Sequence, residues 1–196
     1  MQPFQKIVSH LIPIIRDNID TDQIIPAQYL KVTDKLGLAE GCFASWRYRP
    51  DGALDPEFPI NKPEYSSAQV ILAGDNFGCG SSREHAAWAL SGLGIKAVIS
   101  TSFADIFRNN AIKNGILPVV VDQNTHTYLV NMVQKNPMSE VVVDLDHQLI
   151  TLPNGETAEF PIDAFNKECM LEGIDSLEYL LKHQDRIQAY EEVHNV

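Results

Sequence analysis

Apolar runs and amphipathic segments alternate through the middle of the chain. The run Val70-Ile71-Leu72-Ala73 is typical of a buried strand, and Ala86, Leu90 and Leu93 follow it at helical spacing. The alternation occurs twice more and predicts strands over 69–74, 95–100 and 116–122 and helices over 81–93, 104–114 and 124–136. Because apolar strands alternate with helices, we expect a mostly parallel sheet covered by helices.

After Asn136-Pro137 the pattern changes. Short strands are expected over 141–144, 148–152 and 157–160, with a hairpin signal at Asn154-Gly155. The C-terminus is predicted to be helical, beginning with a capping box of Asp175 and Glu178. Its apolar stripe is assigned to the core and consists of Leu177, Leu180, Leu181, Ile187 and Tyr190. The elements together predict an α/β fold with a single domain over residues 1–196.

The N-terminal third has weaker signals. Residues 4–15 predict an opening strand that ends near Pro13, and residues 16–31 form a polar loop of the kind that fixes turns. A short helix is expected over 37–46. Four prolines and several aromatic residues over 49–67 predict a packed irregular loop. Either this loop covers a site or meets a partner, or it packs on the body of the protein.

The glycine-rich stretch from Gly74 to Ala87 carries the candidate chemistry. Its three glycines allow sharp turns and close approach of a ligand to the backbone. Ser81 or Ser82 is expected to cap the following helix, with Arg83 in its first turn. Because a helix start has unpaired N–H groups and partial positive charge, the stretch predicts an anion site.

Two common anion motifs do not match this stretch. A P-loop needs a lysine that is absent, and the dinucleotide fingerprint fails because Arg83 stands where a third glycine is required. A pair of hydroxyls and a guanidinium remain, which suits a carboxylate gripped by Arg83 beside Ser82.

Composition excludes other classes of function. The chain has 196 residues, a net charge of −11 and a pI near 4.8, which argues against nucleic-acid binding. It has no apolar run near the ~20 residues of a membrane span and no signal-peptide layout, so a soluble cytoplasmic protein is expected. Its three cysteines are far apart, and neither C-x2-C nor His-x3-His occurs. We therefore expect no metal bound by this chain.

Three motifs resemble a known family. Residues 76–86, Asn-Phe-Gly-Cys-Gly-Ser-Ser-Arg-Glu-His-Ala, are similar to the signature of the swivelling domain of the aconitase superfamily, and in particular of the small subunits of 3-isopropylmalate dehydratases. Residues 17–26, Asp-Asn-Ile-Asp-Thr-Asp-Gln-Ile-Ile-Pro, and residues 102–110, Ser-Phe-Ala-Asp-Ile-Phe-Arg-Asn-Asn, match the same family in the same order. The resemblance covers essentially the whole chain and implies a three-layer β/β/α swivelling domain.

The resemblance also implies roles for residues. Ser81 would be the catalytic base that removes a proton beside a carboxylate, and Ser82 and Arg83 would bind the dicarboxylate substrate. Thr21 and Asp22 would border the site and help to bind the substrate, although a purely structural turn is the alternative. Tyr29, Leu30 and Lys31 would form the specificity loop, in which Leu30 suits an isopropyl group and Lys31 is either a site residue or a surface lysine.

The implied enzyme is a hydro-lyase that is active only as a heterodimer. Its large subunit would hold a [4Fe–4S] cluster, and the pair would convert 2-isopropylmalate to 3-isopropylmalate through isopropylmaleate, in leucine biosynthesis. Three alternatives stay open: a related small subunit acting on homoaconitate, citraconate or a methylmalate; a non-catalytic anion-binding module; and a purely structural subunit.

Overall fold

A computed structural model describes residues 2–30 and 37–194. Seven strands are present in it: β1 (Ile7–Ile14), β2 (Val70–Ala73), β3 (Ala97–Ser100), β4 (Leu117–Val120), β5 (Glu140–Asp144), β6 (Leu149–Thr151) and β7 (Thr157–Glu159). The helices are α1 (Thr21–Ile24), α2 (Leu38–Gly41), α3 (Ala44–Arg47), α4 (His85–Gly92), α5 (Asp105–Lys113), α6 (Gln123–Lys135), α7 (Ala164–Glu172), α8 (Ser176–Lys182) and α9 (Gln184–His194).

The strands form one seven-stranded sheet in the order β4-β3-β2-β1-β5-β6-β7. Strands β1 to β4 are parallel, with Leu11 of β1 in register with Val70 of β2. Strands β5 to β7 continue the sheet in antiparallel fashion from the other edge of β1. The turn between β6 and β7 contains Gly155 at φ +86°. The predicted α/β class, parallel core and hairpin are confirmed.

Both faces of the central parallel strands are covered, so β2 and β3 are buried along their whole length. In β2, Ile71 and Ala73 face a first core, which also contains buried residues of α4. Val70 and Leu72 face a second core, which contains buried residues of α6 and α7. This two-sided burial explains why the strands are continuous apolar runs rather than alternating patterns.

The proline-rich loop 49–67 packs on the first core. It contains two 3₁₀ turns, Pro59–Asn61 and Pro63–Tyr65. Phe58 is buried, and its ring lies 6.0 Å from that of Phe43 and 6.3 Å from that of Trp46. Aromatic packing of this kind holds an irregular segment without ladder hydrogen bonds.

The C-terminal stripe is a corrected prediction. The capping box of Asp175 and Glu178 is present at the start of α8. However, the stripe does not lie in the core, because Leu177 is 62% exposed and Tyr190 is 62% exposed. Leu180, Leu181 and Ile187 are exposed as well. A helical period identifies an apolar face, but it does not say whether another element covers that face.

The N-terminal segments are shorter than expected. The predicted helix over 37–46 consists of two single turns, α2 and α3, and the polar loop 16–31 contains α1. None of the helices in the two described ranges is long and apolar enough to cross a membrane.

Candidate active site

Three loops meet at the carboxyl edge of the parallel strands. The loop after β1 bonds the loop after β2, because Asp17 Oδ1 accepts from the Asp75 N–H at 2.7 Å and Asn18 N–H donates to Asp75 O at 2.8 Å. The loop after β3 bonds it from the other side, since the Asn76 N–H donates to Ser102 Oγ at 2.9 Å. Ser100, the last residue of β3, also donates its hydroxyl to Gly74 O at 2.6 Å. Ligand sites of parallel α/β sheets commonly lie at this edge.

Two glycines allow the close approach of these loops. A Cβ on Gly74 would overlap the Asp17 carboxylate and the Arg16 backbone. A Cβ on Gly78 would overlap the Phe107 ring, and Gly78 also has φ +77°. Packing therefore requires glycine at both positions, and the backbone conformation requires it at Gly78 as well.

Helix α1 fixes the segment that leads to Ser81. Its N-cap, Asp20, forms a capping box with Gln23. Thr21 N–H donates to Cys79 O at 2.9 Å, and the Thr21 hydroxyl donates to Ser81 O at 3.0 Å. Thr21 is only 2% exposed. Its side chain therefore holds the backbone of Ser81.

Ser81 and Ser82 are exposed, and they do not cap α4. This prediction was wrong: α4 begins at His85, and its N-cap position is Glu84, with no side-chain cap bond. The Ser81 carbonyl instead accepts from the Thr21 hydroxyl and from the Arg83 N–H at 2.8 Å. Because the helix dipole acts mainly within the first turn, it contributes less at Ser81 than the sequence suggested.

Arg83 forms an ion pair with Asp22. The Arg83 side chain is 27% exposed and that of Asp22 is 55% exposed. The predicted site residues Thr21, Asp22, Ser81, Ser82 and Arg83 are thus brought together on one surface, from segments about sixty residues apart in sequence. An incoming carboxylate would have to share Arg83 with Asp22 or displace it.

Cys79 lies on the same loop. Burial, reinforced by the nearby Asp20 carboxylate, raises the pKa of the Cys79 thiol above its ordinary value. The thiol is therefore protonated at neutral pH, which disfavours a nucleophilic role.

Tyr29 and Leu30 lie on and just after the 3₁₀ turn Ala27–Tyr29. Both are half-buried and pack against the first core, with Tyr29 close to Gly41. No hydrogen bond within residues 2–30 and 37–194 joins them to Ser81, Ser82 or Arg83. Lys31, the third residue of the predicted specificity loop, lies outside the described residues.

Cysteine and histidine side chains are not gathered into a metal site in the described part of the chain, where no group of three or more His, Cys, Asp or Glu residues could hold an ion. Cys42 and Cys169 are buried and Cys79 is half-buried, each as a free thiol.

A polar network that the sequence did not predict lies at the same edge. Asp75 Oδ1 accepts from the hydroxyls of Thr101 at 2.8 Å and Ser102 at 2.6 Å. Asn76 Nδ2 donates to Asn18 Oδ1 at 2.8 Å, and both asparagines have positive φ. A signal was present, since an Asp-Asn pair follows each of the first two strands.

Comparisons with known proteins give matches over nearly the whole chain. The family model of the aconitase C-terminal domain matches residues 1–124, and a second model, LeuD_N, matches residues 128–164. The 3-isopropylmalate dehydratase small subunit of Roseiflexus castenholzii is 55% identical over 99% of this chain and 95% of its own length. The small subunit of Anaeromyxobacter dehalogenans is 52% identical over 97% of this chain and 98% of its own length.

A solved structure shares the fold. The crystal structure of 3-isopropylmalate dehydratase from Methanocaldococcus jannaschii aligns with a TM-score of 0.65 and 34% identity, covering 95% of this chain and 99% of that one. The sequence motifs, the arrangement of Thr21, Ser81 and Arg83 and these matches together show that the chain belongs to the family of 3-isopropylmalate dehydratase small subunits, built on the aconitase C-terminal domain.

Proposed function

We propose that this chain is the small subunit of a cytoplasmic 3-isopropylmalate dehydratase. With a large subunit as a heterodimer, it interconverts 2-isopropylmalate and 3-isopropylmalate by removing and re-adding water through isopropylmaleate, in leucine biosynthesis. The observation that carries the proposal is the convergence of Ser81, Ser82 and Arg83 with Thr21 and Asp22 in a chain 55% identical to a named small subunit.

Ser81 is the base in this proposal. Its backbone is fixed from two sides by the Thr21 hydroxyl and the Arg83 N–H, while its side chain faces solvent. This arrangement presents the hydroxyl oxygen to a carbon beside a substrate carboxylate. Ser81 Oγ takes the proton from that carbon and returns one when water is added back.

A neutral hydroxyl is a weak base, so the site must stabilise its alkoxide form. A helix dipole contributes at most about 2 kcal/mol, or about 1.5 pKa units, even within the first turn. Since α4 begins only at His85, the larger contribution has to come from Arg83 and from exclusion of water. Ser81 is exposed in the chain alone, which fits a site that a second subunit closes.

Arg83 and Ser82 bind a substrate carboxylate. The guanidinium can offer two parallel N–H groups to a carboxylate, and the Ser82 hydroxyl lies next to it in sequence. In the chain alone Asp22 pairs with that guanidinium and keeps it at the site. Tyr29 and Leu30 would contact the substrate's side group, where an apolar Leu30 favours isopropyl.

The other half of the reaction is loss of hydroxide. A [4Fe–4S] cluster with an open iron, held by the large subunit, would supply the Lewis acid for that step. The described residues of this chain gather no ligand set for it. The chain's own contribution is the base and the carboxylate clamp.

Ser81→Ala in the reconstituted pair of subunits tests the proposal. We expect kcat to fall by about a thousandfold or more with KM changed by only a few-fold, because Ser81 acts on the reacting carbon rather than on substrate affinity. Ser66→Ala is the control, since Ser66 is also exposed but lies in the loop 49–67. Undiminished turnover by the Ser81 variant would remove the serine from the mechanism.

Substrate choice is measured with the same pair of subunits. Turnover of 2-isopropylmalate should exceed that of homoaconitate, citraconate and methylmalates. A preference for one of those acids would assign the chain to a related hydro-lyase. Binding of a carboxylate by the chain alone, with no turnover when the large subunit is added, would instead indicate an anion-binding module.

A further inference from the structure

Asp75 joins the three loops at the carboxyl edge of the sheet. Its backbone N–H donates to Asp17 Oδ1 at 2.7 Å, and its carbonyl accepts from Asn18 N–H at 2.8 Å, which ties it to the loop after β1. Its side chain accepts from the hydroxyls of Ser102 and Thr101, which ties it to the loop after β3. Asp75 thus bonds both neighbouring loops at the point where residues 74–84, the serine loop that carries Ser81, leave β2.

The bonds continue from Asp75 to Ser81. Asn76 N–H donates to Ser102 Oγ at 2.9 Å, and Phe77 N–H donates to Ser102 O at 3.1 Å. Gly78 N–H then donates to Ile19 O at 2.7 Å. Ile19 is two residues before Thr21, whose hydroxyl binds the Ser81 carbonyl. Ser102 is therefore shared between the Asp75 carboxylate and the backbone of the serine loop.

Packing does not explain the Asp75 side chain. Asp75 is exposed, so its carboxylate fills no space in either core. The hydrogen bonds from Ser102 and Thr101 hold the pKa of Asp75 below its ordinary value, so the group is a carboxylate at neutral pH. Bonds to a charged acceptor are about twice as strong as neutral ones, which makes this a firm link between two exposed loops.

We propose that Asp75 is a positioning residue for Ser81: by holding Ser102 and Thr101, it fixes the path of residues 76–81 and so the place of the Ser81 hydroxyl. The inference rests on the proposed function, since Ser81 must be the base for its position to affect turnover. Displacement of a catalytic group by about 1 Å can lower a rate a hundredfold without loss of the fold.

Two substitutions of Asp75 distinguish a role in positioning from a role of its negative charge. Both hydroxyls bind the same oxygen, Oδ1, and the carbonyl oxygen of an asparagine can accept two hydrogen bonds there. If Asp75 acts by holding the two hydroxyls in place, Asp75→Asn retains most of the wild-type kcat and Asp75→Ala has a much lower kcat. If the negative charge of Asp75 itself acts on the substrate, kcat falls in both variants.

The experiment measures steady-state kinetics of the reconstituted pair with 2-isopropylmalate. We expect Asp75→Ala to lower kcat about 10- to 100-fold with KM within about threefold, and Asp75→Asn to stay within about threefold of wild type in kcat. Thr101→Val, which removes one of the two donors, should lie between them. Asp163→Ala is the matched control, because Asp163 is also a carboxylate with a lowered pKa that accepts a backbone N–H, but at the start of α7.

A second measurement does not depend on turnover. Hydrogen–deuterium exchange of the amides of residues 76–81 should be faster in Asp75→Ala than in wild type or Asp163→Ala. Full kcat in Asp75→Ala, unchanged exchange at 76–81, or equal loss of kcat in Asp75→Ala and Asp75→Asn would overturn the inference. Failure of the proposed function is distinguishable, because it appears as no turnover by the wild-type pair or no effect of Ser81→Ala.

Discussion

Gly78 and Gly80 differ in what a side chain would meet, although both have positive φ. A Cβ on Gly78 would overlap the Phe107 ring, whereas on Gly80 the nearest atom is Asp20 Cβ at 3.4 Å. Gly80→Ala should cost about 1–2 kcal/mol from the left-handed backbone alone. Gly78→Ala should cost about 1–3 kcal/mol more from overpacking.

Urea unfolding of the two variants checks this difference. The matched pair controls for conformational strain, since φ is +77° at Gly78 and +91° at Gly80. Equal destabilisation of the two variants would contradict the role of Phe107.

At the level of residues, the sequence predicted which residues belong to the candidate site but not how they pair. Glycines, paired serines and an arginine have chemistry that is visible locally. By contrast, the ion pair of Asp22 with Arg83 joins residues sixty-one positions apart, and the bond of Thr21 to Ser81 joins residues sixty apart. Such pairs depend on how the loops after different strands are placed in space. No local pattern encodes that placement.

At the level of elements, α4 begins at His85 rather than at the predicted residue 81, because the Ser81 carbonyl has other hydrogen-bond partners. A helix beginning at Ser81 would use the Ser81 carbonyl as an acceptor in its first turn, but Thr21 and Arg83 already bind that carbonyl. Before α5, the N-cap position is Ala104, and the Ser102 hydroxyl binds the Asp75 carboxylate. Capping rules describe isolated helix ends, whereas here the Thr21 hydroxyl, which competes for the Ser81 carbonyl, comes from another loop.

Helix α9 leads to a prediction about stability. It has no buried residue, although Ile187, Tyr190 and Val193 are apolar. A chain that ends at His183 should therefore lose less than about 1 kcal/mol of unfolding free energy, because little apolar surface is re-exposed. Met170→Ala in α7 is the contrast, since Met170 is fully buried and truncation there should cost about 2–5 kcal/mol.

The two changes are compared by urea unfolding of the chain alone. A loss after truncation as large as that of Met170→Ala would show that α9 packs on the body of the protein.

At the level of the whole molecule, β2 has its side chains in both cores. Ile71 lies in the first core and Leu72 in the second, and the strand is hydrogen-bonded to β1 and β3. The predicted single domain over 1–196 then requires that the two cores unfold together. Trp46 and Trp88 both pack against the first core, so tryptophan fluorescence reports that face, whereas far-UV circular dichroism reports the helices on both faces.

Urea unfolding of Leu72→Ala shows whether the chain unfolds as one cooperative unit or as two. Its cavity lies in the second core, away from both tryptophans, and should cost about 2–5 kcal/mol. In a single domain the fluorescence and circular dichroism transitions should shift together to the same lower urea midpoint, as they should for the control Ile71→Ala in the first core. If Leu72→Ala shifts only the circular dichroism transition and leaves the tryptophan transition in place, the two faces unfold independently, and the chain is not one domain.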